Sequence, residues 1–261
     1  MENVMSPLEL RHKIRNGGHR DHTSGLCEGF VQCNMVILPS DWAADFHQFC
    51  RLNPKPCPLI AVSEPGDYRL PALGEDIDIR RDIPAYRVFE HGVMREEIND
   101  ISHLWQHDLV VFLIGCSFSF EEALIADGLE VRNVTEGVNV PMYKTHIDCQ
   151  SAGLFAGKMV VSMRPYKETD MPQVRQICSR FPSVHGEPIH YGDPKEIGVR
   201  SITQPDFGDP VTIKPDEAPA FWACGVTPQV ALENAKPPFC ITHSPGCMLV
   251  TDLFNRDLAS T

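Results

Sequence analysis

The chain has 261 residues, enough for one large domain or two lobes, and its 43% hydrophobic content supports a sizeable core. A net charge of −12 without any basic block excludes a nucleic-acid footprint. No run approaches the roughly 18 apolar residues of a membrane span, and Met1–Val4 opens no long apolar stretch, so the sequence predicts a cytoplasmic protein without leader or anchor.

Ten cysteines without a single C-x-x-C pair argue against a zinc ribbon or a dithiol redox centre and for reduced, buried thiols. In chain order, Ser6-Pro7-Leu8-Glu9 has the cap, the first-turn Pro and the Glu of a capping box, predicting a helix to about Arg15. A polar loop with His19 and His22 follows, then a strand over 30–38 ending at Pro39 and a helix capped by Ser40 and Asp41 to about Arg51. Short strands are expected over 59–62 and 85–91. The fully apolar run 109–114 suits a strand covered on both faces. Ser119 with Glu122 reads as a second capping box, opening a helix to about Asp127.

Further on, strands are expected over 158–163, 187–191, 219–224 and 239–243. Helices are expected from Asp170 to about Arg180 and from Thr227 to about Asn234, with a capped turn at Asp193–Glu196. This alternation predicts an α/β protein of mixed β-sheets with flanking helices, in two lobes. We expect an N-terminal lobe over 1–145 and a C-terminal lobe over 146–261, with the site between them.

Five segments carry reactive side chains. Gly115-Cys116-Ser117-Phe118-Ser119 leaves the apolar strand and opens a helix, where first-turn N–H groups favour an anion and a thiolate. Cys224-Gly225-Val226-Thr227-Pro228-Gln229 repeats that arrangement, with Thr227 as the expected N-cap. Along Asn139–Thr145, the two-residue period puts Asn139, Tyr143 and Thr145 on one face and Lys144 on the other. Arg164, before Pro165 at an expected strand end, is placed to grip a carboxylate with both guanidinium nitrogens. Ile241–Asp252 reads as strand, tight Pro245-Gly246 turn and strand, bringing His243, Cys247 and Asp252 together at a hairpin. Two histidine pairs, His103 with His107 and His185 with His190, have ligand-like spacing, but neither lies in a known zinc motif.

Cys-Ser-Phe-Ser-Phe-Glu (116–121), Asn-Val-Pro-Met-Tyr-Lys-Thr (139–145), Met-Arg-Pro (163–165), Cys-Gly-Val-Thr-Pro-Gln (224–229) and the 241–252 segment together resemble the D-glutamate cyclase family and its bacterial hydro-lyase branch. The likeness extends to Arg15-x-Gly17, Thr23-x-Gly25 and Asn34–Pro39, and so covers nearly the whole chain. Ser244 departs mildly from the Ala more usual there.

The resemblance implies a two-lobed α/β fold and closure of D-glutamate to 5-oxo-D-proline with loss of water, helped by Mg2+ or Mn2+ where a cation takes part. From the chemistry, we assign proton transfer to His243 and Asp252, polarisation of the reacting carboxylate to Lys144, and an optional nucleophile to Cys116 or Cys247. Arg164 would anchor the substrate. Ser117, Ser119, Asn139, Tyr143, Thr145, Thr227, Gln229, Gly246 and Cys247 would line its pocket. The expected partner is a small-molecule carboxylate, with neither nucleic acid nor membrane, and the chain could form a homo-oligomer. A dehydratase of another small hydroxy- or amino-acid, or a non-catalytic carboxylate-binding module, would suit the same residues.

Overall fold

The computed structural model describes residues 5–259. Met1–Val4, read above for a leader, lie outside them, as do Ser260 and Thr261 at the end of the expected second lobe.

Helix α1 (Pro7–Arg15) forms as its signals predict. Ser6 accepts from the Glu9 N–H, and the Glu9 carboxylate accepts from the Ser6 N–H. The first sheet holds β1 (Phe30–Pro39), β2 (Leu59–Val62), β3 (Tyr86–Glu90), β4 (Val93–Ile98), β5 (Leu109–Gly115), β10 (Cys240–His243) and β11 (Leu249–Phe254). Its order is β2-β5-β1-β10-β3-β4, with β11 also on β1. The second sheet is β6 (Met142–Asp148), β7 (Lys158–Tyr166), β9 (Ala218–Ala223) and β8 (His190–Tyr191), in that order. Around them lie α2 (Ser40–Leu52), α3 (Phe118–Ala126), α4 (Arg132–Glu136), α5 (Met171–Ser179) and α6 (Thr227–Ala235).

The α/β class with flanking helices is therefore observed. Every strand pairing in both sheets is antiparallel. The apolar run of β5 is covered on both faces, as its composition demands. Leu109, Val111 and Leu113 enter one core with Met35 and Ile241, while Val110, Phe112 and Ile114 enter another with Phe46 and Phe155.

Sheet membership does not follow a cut at 145/146. Strand β6 opens the second sheet at Met142, and β10 and β11 return to the first.

The 241–252 hairpin does not form. Strands β10 and β11 both run antiparallel to β1 along the same edge: Thr242 pairs with Val36, and Leu249 pairs with Cys33. They are two collinear pieces of one interrupted strand, and Ser244–Met248 is an excursion between them. The Pro-Gly turn was read correctly, but its strands continue in one direction instead of folding back.

Several caps also differ. Ser119 and Glu122 make no capping box, because α3 starts at Phe118 and Glu122 instead accepts from the Gly29 N–H and the Asn255 side chain. Helix α2 is preceded by Pro39 and α6 by Val226, neither with a side-chain cap. Strand β4 escaped the sequence reading because Arg95-Glu96-Glu97 makes it a polar, exposed edge. The His91-Gly92 turn before it, with φ of 51° and 77°, is the two-residue signal that could have revealed the hairpin.

Candidate functional site between two helix N-termini

Strands β5 and β9 belong to different sheets, yet each leads into a cysteine and then a nine-residue helix. Cys116 precedes α3 and Cys224 precedes α6. In both turns the backbone N–H two residues on, of Phe118 and of Val226 respectively, favours the ionised thiol. The two thiols line one cavity, which therefore meets the positive ends of two helix dipoles. Burial pushes Cys116 up to about 12 and Cys224 up to about 11, so both are protonated in the empty cavity.

The remaining walls come from Asn34 on β1, from Asn139–Met142 leading into β6, from His185, and from the 244–248 excursion through Pro245, Gly246 and Met248. Asn34 donates to the Gly115 carbonyl at 2.9 Å and lies against Gly225, where a Cβ would collide with it. Gly225 thus lets the two turns approach closely.

His243 ends β10 and is 2% exposed. Its Nδ1 lies against the Met35 backbone, 3.1 Å from the N–H and 3.3 Å from the carbonyl oxygen, and the tautomer decides which of the two it engages. Burial pushes its titration down to about 4. The ring is therefore neutral and lines the cavity, with Nδ1 held by backbone and not by a carboxylate. His185 is also held near 4 by burial, with Nδ1 2.7 Å from the Lys55 carbonyl. No Asp, Glu, Lys or Arg lines the cavity. It is narrow, about 40 Å3, so a five-carbon diacid fits only if the walls part.

Of the predicted site residues, Cys116, Ser117, Asn139, Gly246 and His243 meet here. Arg164 does not reach the cavity. It sits inside β7, two residues before the strand end, with no exposed surface. It binds Glu121 through Nε and Nη2, donates to the hydroxyls of Ser117 and Ser162, and lies 5.2 Å from the rings of both Phe120 and Trp222. The expected substrate fork is already closed on an internal carboxylate.

Lys144 is exposed, with its ammonium 5.5 Å from the Phe207 ring. It does shun the face of Tyr143 and Thr145, but those two are occupied: Tyr143 donates to the Ile202 carbonyl and Thr145 to the Met159 carbonyl. Thr227 is a bridge, accepting the Val160 N–H and donating to the Cys224 carbonyl, which ties β7 to the Cys224 turn. Gln229 faces a different small cavity, beside Phe89 and Thr242. Ser119 is buried, and its hydroxyl has no hydrogen-bond partner. Cys247 turns toward the Asp21 carbonyl at 3.8 Å, with burial holding its thiol up at about 11.

Asp252 is carried away from His243 by the collinear strands and binds Arg11 at 2.9 Å, beside Asp76 at 2.6 Å. Asp252→Asn is therefore expected to leave turnover unchanged. It should cost about 1 kcal/mol or less of stability, because Asp252 is half exposed and Arg11 keeps Asp76. Steady-state rates and thermal unfolding of the variant check this.

Asn34, His185, Cys224 and Gly225 join the site without having been assigned to it. Cys224 had a sequence signal, the repeated Cys-x-x opening before a helix. His185 had only its pairing with His190, which the structure separates: His190 lies against the Asp193 carbonyl. His103 and His107 are both exposed.

The residues present do not fit a resident Mg2+ or Mn2+. Both ions favour oxygen ligands, carboxylates above all, whereas the cavity offers thiols, imidazoles and amides. Among the described residues, no group of three or more His, Cys, Asp or Glu could hold a metal ion.

The two buried imidazoles also set an acid response. Unfolded, each would bind a proton below its ordinary value of about 6.5; folded, each resists until about 4. Their stabilising contribution is complete above about 6.5 and is lost as pH falls toward 4. Denaturant midpoints measured from pH 7 to 4 are expected to drop, and to drop less in a His185→Gln variant. A flat profile would contradict the burial of both rings.

Among the described residues, no helix is long and apolar enough to cross a membrane. The sequence pattern of the D-glutamate cyclase family matches residues 110–252, which span both cysteine turns and His243. A protein of Verminephrobacter eiseniae named "Putative hydro-lyase" is 59% identical over 250 residues, covering 96% of this chain and 91% of its own. Proteins of the same name from Rhizobium johnstonii and Bordetella petrii are each 57% identical, covering 97% and 95% of this chain and 94% of each of their own. With a family match over more than half its length and relatives this similar end to end, the chain belongs to the D-glutamate cyclase family.

Proposed function

We propose that this cavity is the active site of a hydro-lyase acting on a small dicarboxylate amino acid, with D-glutamate closing to 5-oxo-D-proline and water. The observation that carries the reading is the convergence of two helix N-termini and the neutral His243 imidazole on one cavity without charged side chains. Two carboxylates find two positive helix ends, a match that needs no Arg or Lys.

In lactam closure the α-nitrogen attacks the γ-carboxyl carbon. Two of the three ammonium protons leave with one carboxylate oxygen as water. One ammonium proton passes directly to the γ-carboxylate, freeing the amine to attack, and the second moves from nitrogen to the departing hydroxyl, while His243 Nε2–H offsets the oxyanion of the tetrahedral intermediate by a hydrogen bond. The positive dipole ends of α3 and α6 attract the two carboxylate ends so that nitrogen and carbon meet.

The test is incubation of the purified protein with D- and L-glutamate, D- and L-aspartate and the corresponding hydroxy acids, read by mass spectrometry for loss of one water. D-glutamate is expected to give the largest signal. Water loss from another acid instead would move the substrate but keep the reaction class. Saturable thermal stabilisation by the acids without product would identify a binding module.

A further inference from the structure

Direct lactam closure makes no use of the two thiols, although they are the most repeated feature of the site. We propose that Cys116 and Cys224 form a two-base pair that exchanges, and inverts, the α-hydrogen of the amino acid held in this cavity. The proposal rests on reading the cavity as a dicarboxylate amino-acid site.

The geometry is that of paired groups, not of a lone thiol. The sulfurs arrive from different sheets, at equivalent turns, each before a nine-residue helix. Both sulfurs line one narrow cavity, and in the proposed working state one is ionised and the other protonated. The cavity has no carboxylate to serve as base, and the Nδ1 atoms of its two histidines are engaged by backbone. An independent sign of a ligand is His243 itself. It is 98% buried, yet its Nε2 lines the cavity with no hydrogen-bond partner among the described residues.

One thiolate takes the α-proton. The C–H electron pair moves into the adjacent α-carboxylate, whose added charge is met by the helix dipole. The other thiol then delivers its proton to the opposite face. The product is the other enantiomer, the two sulfurs have traded protonation states, and no oxidant or reductant is consumed. The substrate ammonium both acidifies the α-carbon and supplies the positive charge that lets one buried thiol ionise.

The test uses the intact protein in D2O with D-glutamate, L-glutamate and D- and L-5-oxoproline, and it reads two quantities in each sample. Deuterium at the α-carbon, by NMR, reports exchange; loss of one water, by mass spectrometry, reports lactam closure. Wild type is expected to incorporate α-deuterium and to form the opposite enantiomer. Cys116→Ser is expected to lose exchange of one enantiomer by about 10²-fold or more while keeping exchange of the other, and Cys224→Ser to show the reverse preference. A purely structural role would lower both enantiomers together. Closure without α-deuterium overturns the two-base proposal and leaves the hydro-lyase reading standing. Exchange without closure supports the pair and removes that reading, and absence of both rejects both. The wild-type measurement decides the matter even where a variant fails to fold.

Discussion

His243→Asn is expected to lower the rate of water loss by about 10²-fold or more, the scale of a lost oxyanion donor, in a protein that stays folded by circular dichroism. The ring is held at two levels. Strand β10 pairs with β1 and β3, which fixes the backbone, and the Met35 backbone holds the ring at Nδ1. Asn is too short to put a donor where Nε2–H now stands. Loss of the Met35 bond adds a stability cost of about 1–3 kcal/mol, measurable apart from the rate. Because burial keeps His243 neutral down to about 4, the wild-type rate should show no inflection near 6.5 from this group. Near wild-type turnover in a folded variant would take His243 out of the mechanism.

Arg164→Met is expected to cost about 3–5 kcal/mol of folding stability, because it strands Glu121 as an uncompensated buried charge. Arg164 has no exposed surface and Glu121 almost none. The pair sits directly behind the first turn of α3, where the guanidinium also binds the Ser117 hydroxyl. Its loss should therefore loosen the Cys116 turn as well as the fold. A double variant, Arg164→Met with Glu121→Leu, should recover most of the stability, since it removes both charges. Recovery in thermal unfolding would identify the pair as internal support. If Arg164→Met instead unfolds like wild type but loses substrate affinity, the guanidinium is a substrate anchor after all.

The sequence was most legible where local chemistry alone decides the outcome. The Ser6–Glu9 capping box and the apolar run of β5 formed as read, because each is settled within a few residues or by burial of a continuous strand. The strand-to-helix openings at Cys116 and Cys224 were also visible, and they frame the cavity. What failed depended on distant partners. Arg164 looked free because Glu121 lies 43 positions away in sequence, on a helix from the other sheet's side. Asp252 looked close to His243 because a Pro-Gly turn usually reverses the chain; here both flanking strands found the same neighbour, β1. Lys144 sat on the face opposite Tyr143 and Thr145, as the two-residue period requires, but that face is solvent and not a pocket. Asn34, buried within β1, carried no reactive signature beyond its place in a strand motif, and only the approach of Gly225 brings it into the site.

The location of the site is tested most directly by a crystal structure of the protein with D-glutamate or 5-oxoproline bound. The account predicts ligand density between Cys116 and Cys224, with carboxylate oxygens at the first turns of α3 and α6 and one oxygen within hydrogen-bond reach of His243 Nε2. A roomier groove of about 350 Å3 lies elsewhere, between the outer face of α3 and the 24–32 loop, lined by Cys27, Gln32 and Glu122. Ligand seated there, with the cavity between the two helix N-termini left as it is, would contradict the account.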